Sequence, residues 1–202
     1  MQEVRAARRT QAERRDGARQ RVLEAATALV AAHGSRGVSL AAVGEAAGYS
    51  RGIVHHHFGS KAKLLEELIK YTQTFDVPAD SATGLSRLTD FVRAYLGGMR
   101  DRSPRSEAFL KLWTESAGAE PSLAPLFAER DAQFRDVLAQ HITDGIDDGS
   151  IRSDVEPQTA AVAIIGLLRG TALMAFSTAR DMSAANLAVV ATDGVERSLA
   201  RV

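Results

Sequence analysis

Between Val38 and Leu68 the chain spells out two very short helices joined through a glycine, a pattern that few folds accommodate. Ser39 is suited to cap a helix in which Leu40, Val43 and Ala47 recur at helical spacing and which Gly48 ends. Ser50 is suited to cap a second helix, opened by Arg51, in which Val54, His57 and Phe58 share one side while Arg51, His55 and His56 look outward. A residue just past a helix end often takes positive φ, which costs glycine nothing, so Gly48 fits the turn. At Gly52 the missing side chain lets the helix backbone approach another surface closely. The pattern is that of a helix-turn-helix, whose first helix braces across a nucleic-acid backbone while the second lies in the major groove.

A net charge of zero at pH 7 argues on its face against a nucleic-acid partner, but the average hides a division. Residues 1–63 carry 11 Lys and Arg against 5 Asp and Glu, whereas residues 64–202 carry 14 against 20. Positive charge thus gathers where the helix-turn-helix lies, as expected of an anion-facing module attached to a body with another task. Arg5, Arg8, Arg9, Arg14 and Arg15 read as an arginine-rich N-terminal arm that adds phosphate or minor-groove contacts or is a solvated tail. Cysteine is absent, which removes disulfides, thiolate catalysis and cysteine-bound zinc. The arginine-rich start lacks the apolar stretch of an export signal. The longest uncharged apolar run, Ala160 to Leu168, is too short to span a bilayer and is broken by Arg169. The expectation is a cytoplasmic protein without a membrane partner.

A first helix is predicted from near Ala18 to His33, with Val22, Ala26, Leu29 and Val30 as its buried stripe and Gly34 as its stop. Ser60 caps a helix carrying Leu64, Leu65, Leu68 and Ile69, and Asp76 to Gly84 reads as a loop. Beyond it the pattern stays helical, with no alternating β-branched run. Successive helices are marked by Leu85 to Met99, by Phe109, Leu112 and Trp113, and by Phe127 to Ile142. Two more follow, one from Pro157 through Phe176 that is apolar nearly all round, and one from Ser183 to about Ala200. The predicted fold is all-α with about nine helices: a three-helix helix-turn-helix bundle in residues 1–75, and a larger helical domain in residues 76–202. The last two helices, with Gly166 and Gly170 permitting close approach, suggest a homodimer interface built as a four-helix bundle.

These residues resemble the TetR/AcrR family of transcriptional regulators. The likeness rests on Ser39, Leu40, Val43, Ala46, Ala47, Gly48, Ser50, Gly52, His57, Phe58, Ser60, Lys61, Leu64 and Leu65 in the family's order and spacing. Weaker similarity runs on through Trp113, Pro121, the Asp144-Gly145 and Asp148-Gly149 turns, and Pro157 to Leu168-Arg169-Gly170. The resemblance implies a homodimer that binds a palindromic double-stranded DNA operator and represses transcription until a small-molecule effector enters the larger domain. The alternative is a DNA-binding regulator governed by a protein partner or unresponsive to ligand. By similarity, Arg51, His55 and His56 would sit at the DNA surface, and Ser39, His57 and Lys61 would contact phosphates. Ser50 and Gly52 complete the candidate DNA-binding set. The chain departs from the family where a tyrosine is common, at His55, and where alanine is usual, at Gly44, which is expected to loosen the bracing helix slightly.

Three adjacent histidines invite a metal reading, but consecutive helical residues point about 100° apart and cannot converge on one ion. The acidic stretch Asp144 to Asp154 fails as a calcium loop, because Ile146 takes a ligand position and Val155 stands where the bidentate glutamate belongs. No nucleophile elbow, phosphate-binding loop, zinc-protease motif or dinucleotide fingerprint is present, so neither catalytic residues nor a cofactor is expected. For an effector the candidates are Tyr95, Phe109, Trp113, Phe134, His141 and Met174, because apolar pockets between helices are lined by such side chains.

Overall fold

The first helix begins two turns before its apolar stripe does. The computed structural model describes residues 11–73, 77–78, 81–100, 102–177 and 183–201. In it α1 spans Gln11–His33, not the shorter helix that the spacing predicts from near Ala18. Ala18 is the first buried residue of α1, and residues 12–16 are exposed. Glu, Arg and Ala favour helix without leaving an apolar mark, so hydrophobic periodicity finds only the packed part. Arg14 and Arg15, assigned above to an arm, are therefore helical. Arg5, Arg8 and Arg9 lie outside the described residues, as does Phe75.

Contacts divide the chain into two compact units, Met1–Gln73 with Glu107–Leu112, and Thr74–Ser106 with Trp113–Val202. The first, here called the head, holds α1, a 3-10 turn at Ser35–Gly37, α2 (Leu40–Ala47), α3 (Arg51–Phe58) and α4 (Lys61–Thr72). Its centre is Val22, Ala26, Val30, Val43, Val54, Leu64 and Leu68, all fully buried, which joins the predicted stripe of α1 to the apolar faces of the other three helices. Lys111 contributes a long-range cap: its Nζ donates to the carbonyls of Ala31 and Ala32, the latter at 3.1 Å, satisfying acceptors that the end of α1 leaves open.

The second unit, the body, is built from α5 (Gly84–Arg100), α6 (Pro104–Ser116), a 3-10 turn at Pro121–Leu123, α7 (Ala124–Asp147), α8 (Pro157–Ser177) and α9 (Ala184–Leu199). Residues Glu107–Leu112 of α6 belong to the head's unit. The described residues thus form nine α-helices and no strand; one isolated bridge joins Ile151 to Ala200.

Two glycines fix how the body's first helix meets its longest. A Cβ at Gly84 would collide with the backbone of Gly145, and a Cβ at Gly145 would press on Ile151 at 2.6 Å. The Asp148 carboxylate then caps α5, accepting from Gly84 N at 2.7 Å and also from Ser150 N at 2.9 Å. Asp144 pairs with Arg87 at 2.9 Å and accepts from Gln140 at 2.8 Å. The acidic stretch therefore serves as a clasp: Asp148 is spent on a helix N-terminus and Asp144 on a neighbouring arginine. Arg152 N donates to Leu199 O, and Arg201 N to Ser150 O, which ties the last helix to the same turn.

Glu156 caps α8 through Gln158 N and Thr159 N at 3.1 and 2.7 Å. The helix continues past Arg169 to Ser177, so by length and composition it could cross a membrane, unlike the short run ending at Leu168 that the sequence marks. Its inner side packs Ala161, Ile164, Ile165, Leu168, Arg169 and Ala172 into the body.

Candidate functional site

The geometry of the helix-turn-helix follows from three serines and one glycine. Ser39, Ser50 and Ser60 each precede a helix in extended conformation, and their Oγ atoms accept from Ala42, Ile53 and Lys63 N at 3.1, 3.4 and 3.2 Å. Gly48 takes φ 73°, the left-handed region, and its N–H donates back to Glu45 and Gly44 carbonyls. Gly44 has a packing role that the sequence does not announce. It is buried, and a Cβ there would stand 2.8 Å from the Tyr49 carbonyl and 3.2 Å from Ser50 C. Its bareness lets the turn fold directly against α2, which sets where α3 starts.

Val54 and Phe58 anchor α3 inward. Arg19 of α1 lies over the Phe58 ring at 5.7 Å and pairs with Glu67 of α4, while Arg21 lies over Tyr49 at 5.5 Å. The recognition-type helix is thus clamped from behind. Its outer face presents Arg51, Gly52, His55 and His56, all exposed. His57 is half-buried; burial first, then His56, Arg15 and Arg19, hold its pKa below the usual 6.5, so at neutral pH it is an uncharged donor. Ser39 and Lys61 are exposed at the starts of α2 and α4, where free backbone N–H groups favour anions. Sequence reasoning passed over Ile53, whose exposure of 41% on a helix this well packed is unusual. Counting three residues back from His56 around the helix would have found it.

In the body, the structure gathers three of the six candidate effector residues and leaves three apart. Tyr95 of α5 and Phe134 of α7 stack with ring centroids 6.0 Å apart, and Phe91 meets Phe134 at 5.2 Å. Arg169 of α8 lies 5.1 Å over the Trp113 ring and forms a two-pronged pair with Asp131, one arm at 2.7 Å. Its proximity draws the Tyr95 hydroxyl down, but burial outweighs that and pushes Tyr95 up to about 12. Tyr95 and Trp113, with Phe134 stacked on Tyr95, therefore adjoin a buried arginine paired to a part-exposed aspartate, which no local spacing announces, since Asp131 and Arg169 are 38 residues apart. His141 sits two turns along α7 from Phe134, next to Arg87 and Asp144, with its pKa lowered chiefly by burial. Phe109 is fully buried within the head's unit. Met174 is 51% exposed on the outer side of α8. Among the described residues no three His, Asp or Glu side chains converge as metal ligands would.

An all-helical chain with a basic helix-turn-helix head and a larger helical body defines the class of DNA-binding transcriptional regulators. Residues 22–68 match the family profile described as bacterial regulatory proteins, tetR family, and residues 85–200 match BetI-type transcriptional repressor, C-terminal. The chain belongs to the TetR family. It is 26% identical over 170 residues to the HTH-type transcriptional repressor KstR2 of Rhodococcus jostii, covering 80% of this chain and 79% of that one. With the HTH-type transcriptional repressor AcnR of Corynebacterium efficiens it shares 27% identity over 140 residues, 68% of this chain and 70% of the relative. A putative TetR-family regulator from Rhodococcus sp. superimposes with a TM-score of 0.77 at 21% identity, over 90% of this chain and 98% of that structure.

Proposed function

We propose that this regulator is a cytoplasmic repressor that binds a palindromic operator as a homodimer and lets go when a small molecule enters the body. The observation that carries the DNA half is the outer face of α3, where Arg51, Ile53, His55 and His56 are exposed on a helix clamped from behind. Ser39, Ser50, His57 and Lys61 flank it as phosphate contacts, and Gly52 keeps the backbone close to the groove. Residues 1–75 form the operator-binding part in this reading and residues 76–202 the effector and dimer part. The repressor names of both relatives favour repression over activation.

The dimer half draws on an uncovered apolar face. Val162, Leu167, Leu173 and Met174 of α8 and Val189 and Val190 of α9 are 39 to 70% exposed, and open space stands beside Gly166 and Gly170. A second copy laid on this face as a four-helix bundle would bury it. Two α3 helices would then reach successive major grooves roughly 34 to 36 Å apart. An effector shifts the equilibrium only if it binds the two states unequally, a difference of about 1 to 3 kcal/mol in typical cases. The head's last helix, α4, directly precedes the body in the chain and is the natural carrier of that change.

Footprinting of genomic fragments selected by the purified protein tests the reading. Arg51→Ala should weaken operator binding by about tenfold or more while leaving the melting temperature unchanged. Between 50 and 200 mM salt, affinity should fall by about a thousandfold or more if six or more phosphates are neutralised. Unchanged affinity of the Arg51 variant together with a flat salt response would remove α3 as the operator-reading surface.

A further inference from the structure

We propose that Arg169 is the anchor for the carboxylate of an apolar acid, and that Asp131 occupies the anchor until such an acid arrives. The inference rests on the reading of the body as an effector domain and names the chemical class of the effector.

Arg169 is the only charged residue in α8, Pro157–Ser177, and is 5% exposed. A buried ion pair gains little over apolar side chains of the same volume, because the attraction is spent on removing both charges from water. Stability therefore does not explain why an arginine interrupts this helix. Its donors supply a better reason. The guanidinium offers five N–H groups in a planar fork. Asp131 takes one from each of Nη1 and Nη2, the Tyr95 hydroxyl is the other oxygen beside the guanidinium, and the buried Nε receives nothing from Asp131. A carboxylate approaching side-on would engage Nε and one Nη together, filling the donor that Asp131 leaves empty.

The surroundings suit the rest of such a molecule. Trp113 faces the guanidinium, and Tyr95, Phe134 and Phe91 form adjoining aromatic rings, so an aliphatic or aromatic body would meet apolar walls. Asp131 is the open side of the cluster. Its side chain is 33% exposed against 7% for Arg169, so it can turn to water at small cost while the incoming carboxylate takes its place. One anion then replaces another at Arg169, and no charge is left buried alone. A cationic ligand is disfavoured, because the guanidinium already covers the Trp113 face. Trp113 also immediately follows Glu107–Leu112, the part of α6 that belongs to the head's unit and carries the Lys111 cap on α1. A change at Trp113 therefore begins one residue from the head.

Trp113 is the only tryptophan of the chain, so its fluorescence reports on the cluster directly. The full-length protein is titrated with carboxylates from acetate to octanoate and with 3-phenylpropionate, and in parallel with octanamide and octyltrimethylammonium. Octanoate or 3-phenylpropionate should change Trp113 emission saturably, whereas the amide and the ammonium should not. Asp131→Asn should tighten acid binding by about fivefold or more, as removal of a competing internal ligand requires. Arg169→Met should abolish it, and the Arg169→Met/Asp131→Leu double variant, which leaves no lone charge, should abolish it equally. Equal response to acid and amide, preference for the ammonium, an acid response that survives in the double variant, or no response to any carboxylate would overturn the proposal. Operator binding by the wild-type protein separates the two readings. Arg169-dependent acid binding without operator release keeps the anchor and sinks the ligand-released switch, whereas release by a ligand indifferent to Arg169 does the reverse.

Discussion

The helix boundaries of the head are set by neighbours in sequence, and the helix crossings of the body by distant pairs. In the head, each cap and turn that sets a helix start or stop spans three or four residues: Ser39 to Ala42, Ser50 to Ile53, Ser60 to Lys63, and Gly48 back to Gly44 and Glu45. In the body the partners lie 38 to 65 residues apart: Asp131 with Arg169, Arg87 with Asp144, Gly84 with Asp148, Leu85 with Ser150. A surface that must present α3 in one orientation gains from local devices, because each one fixes a helix start irrespective of what else the chain does. A domain proposed to take in another molecule instead depends on helix crossings, and these are set by pairs.

If that contrast is right, single substitutions should cost very different amounts in the two regions. Gly84→Ala forces a methyl into the Gly145 backbone and should destabilise the body by about 3 kcal/mol, at the upper end of overpacking costs. Urea unfolding measures it, and a loss no larger than that of a cap variant would erase the contrast. Ser50→Ala removes one local cap and should cost about 1 kcal/mol. Its effect on operator affinity should exceed what that loss of stability explains, since the cap sets where α3 begins; an affinity tracking stability alone would count against local control of α3.

A smaller effect separates the two regions by pH. His141 has a folded pKa below 6.5, from burial first and then Arg87, against the opposing pull of Asp144. The unfolded chain therefore binds the proton more readily, so this stability is fully present above pH 6.5 and is lost as pH falls through the folded value. Between pH 7.5 and 5.5 the wild-type protein should lose more stability than His141→Asn. Equal losses would assign the acid sensitivity elsewhere, with His57 of the head, also lowered by burial, the next residue to vary.

The same contrast decides what could be read from the sequence. The three serine caps, the Gly48 turn and the inward pair Val54 and Phe58 were legible because capping and helical periodicity are short-range signals. The start of α1 was not, since residues 12–16 bury nothing and periodicity registers only burial. The packing role of Gly44 was hidden for a subtler reason: its neighbour in space is the carbonyl of Tyr49, and a backbone atom carries no sequence signature. In the body, Tyr95, Trp113 and Phe134 could be picked as aromatic candidates, but the Arg169 and Asp131 pair at their centre has no spacing to betray it. Phe109 and Met174 satisfied the same composition rule and went elsewhere, one into the head's unit and one onto the outer face of α8.

The tie between the turn at Ser150–Arg152 and the residues after α9 has a consequence in time. Chains fold broadly from the N-terminus as they are made. Every residue of the head's unit exists once Leu112 has been added, whereas Ser150 and Arg152 wait for Arg201 and Leu199. At about 5 to 20 residues per second, residues 113–202 take roughly 5 to 18 s to synthesise. For that interval each new copy holds every residue of its DNA-reading end and none of the closing contacts of the part proposed to govern it.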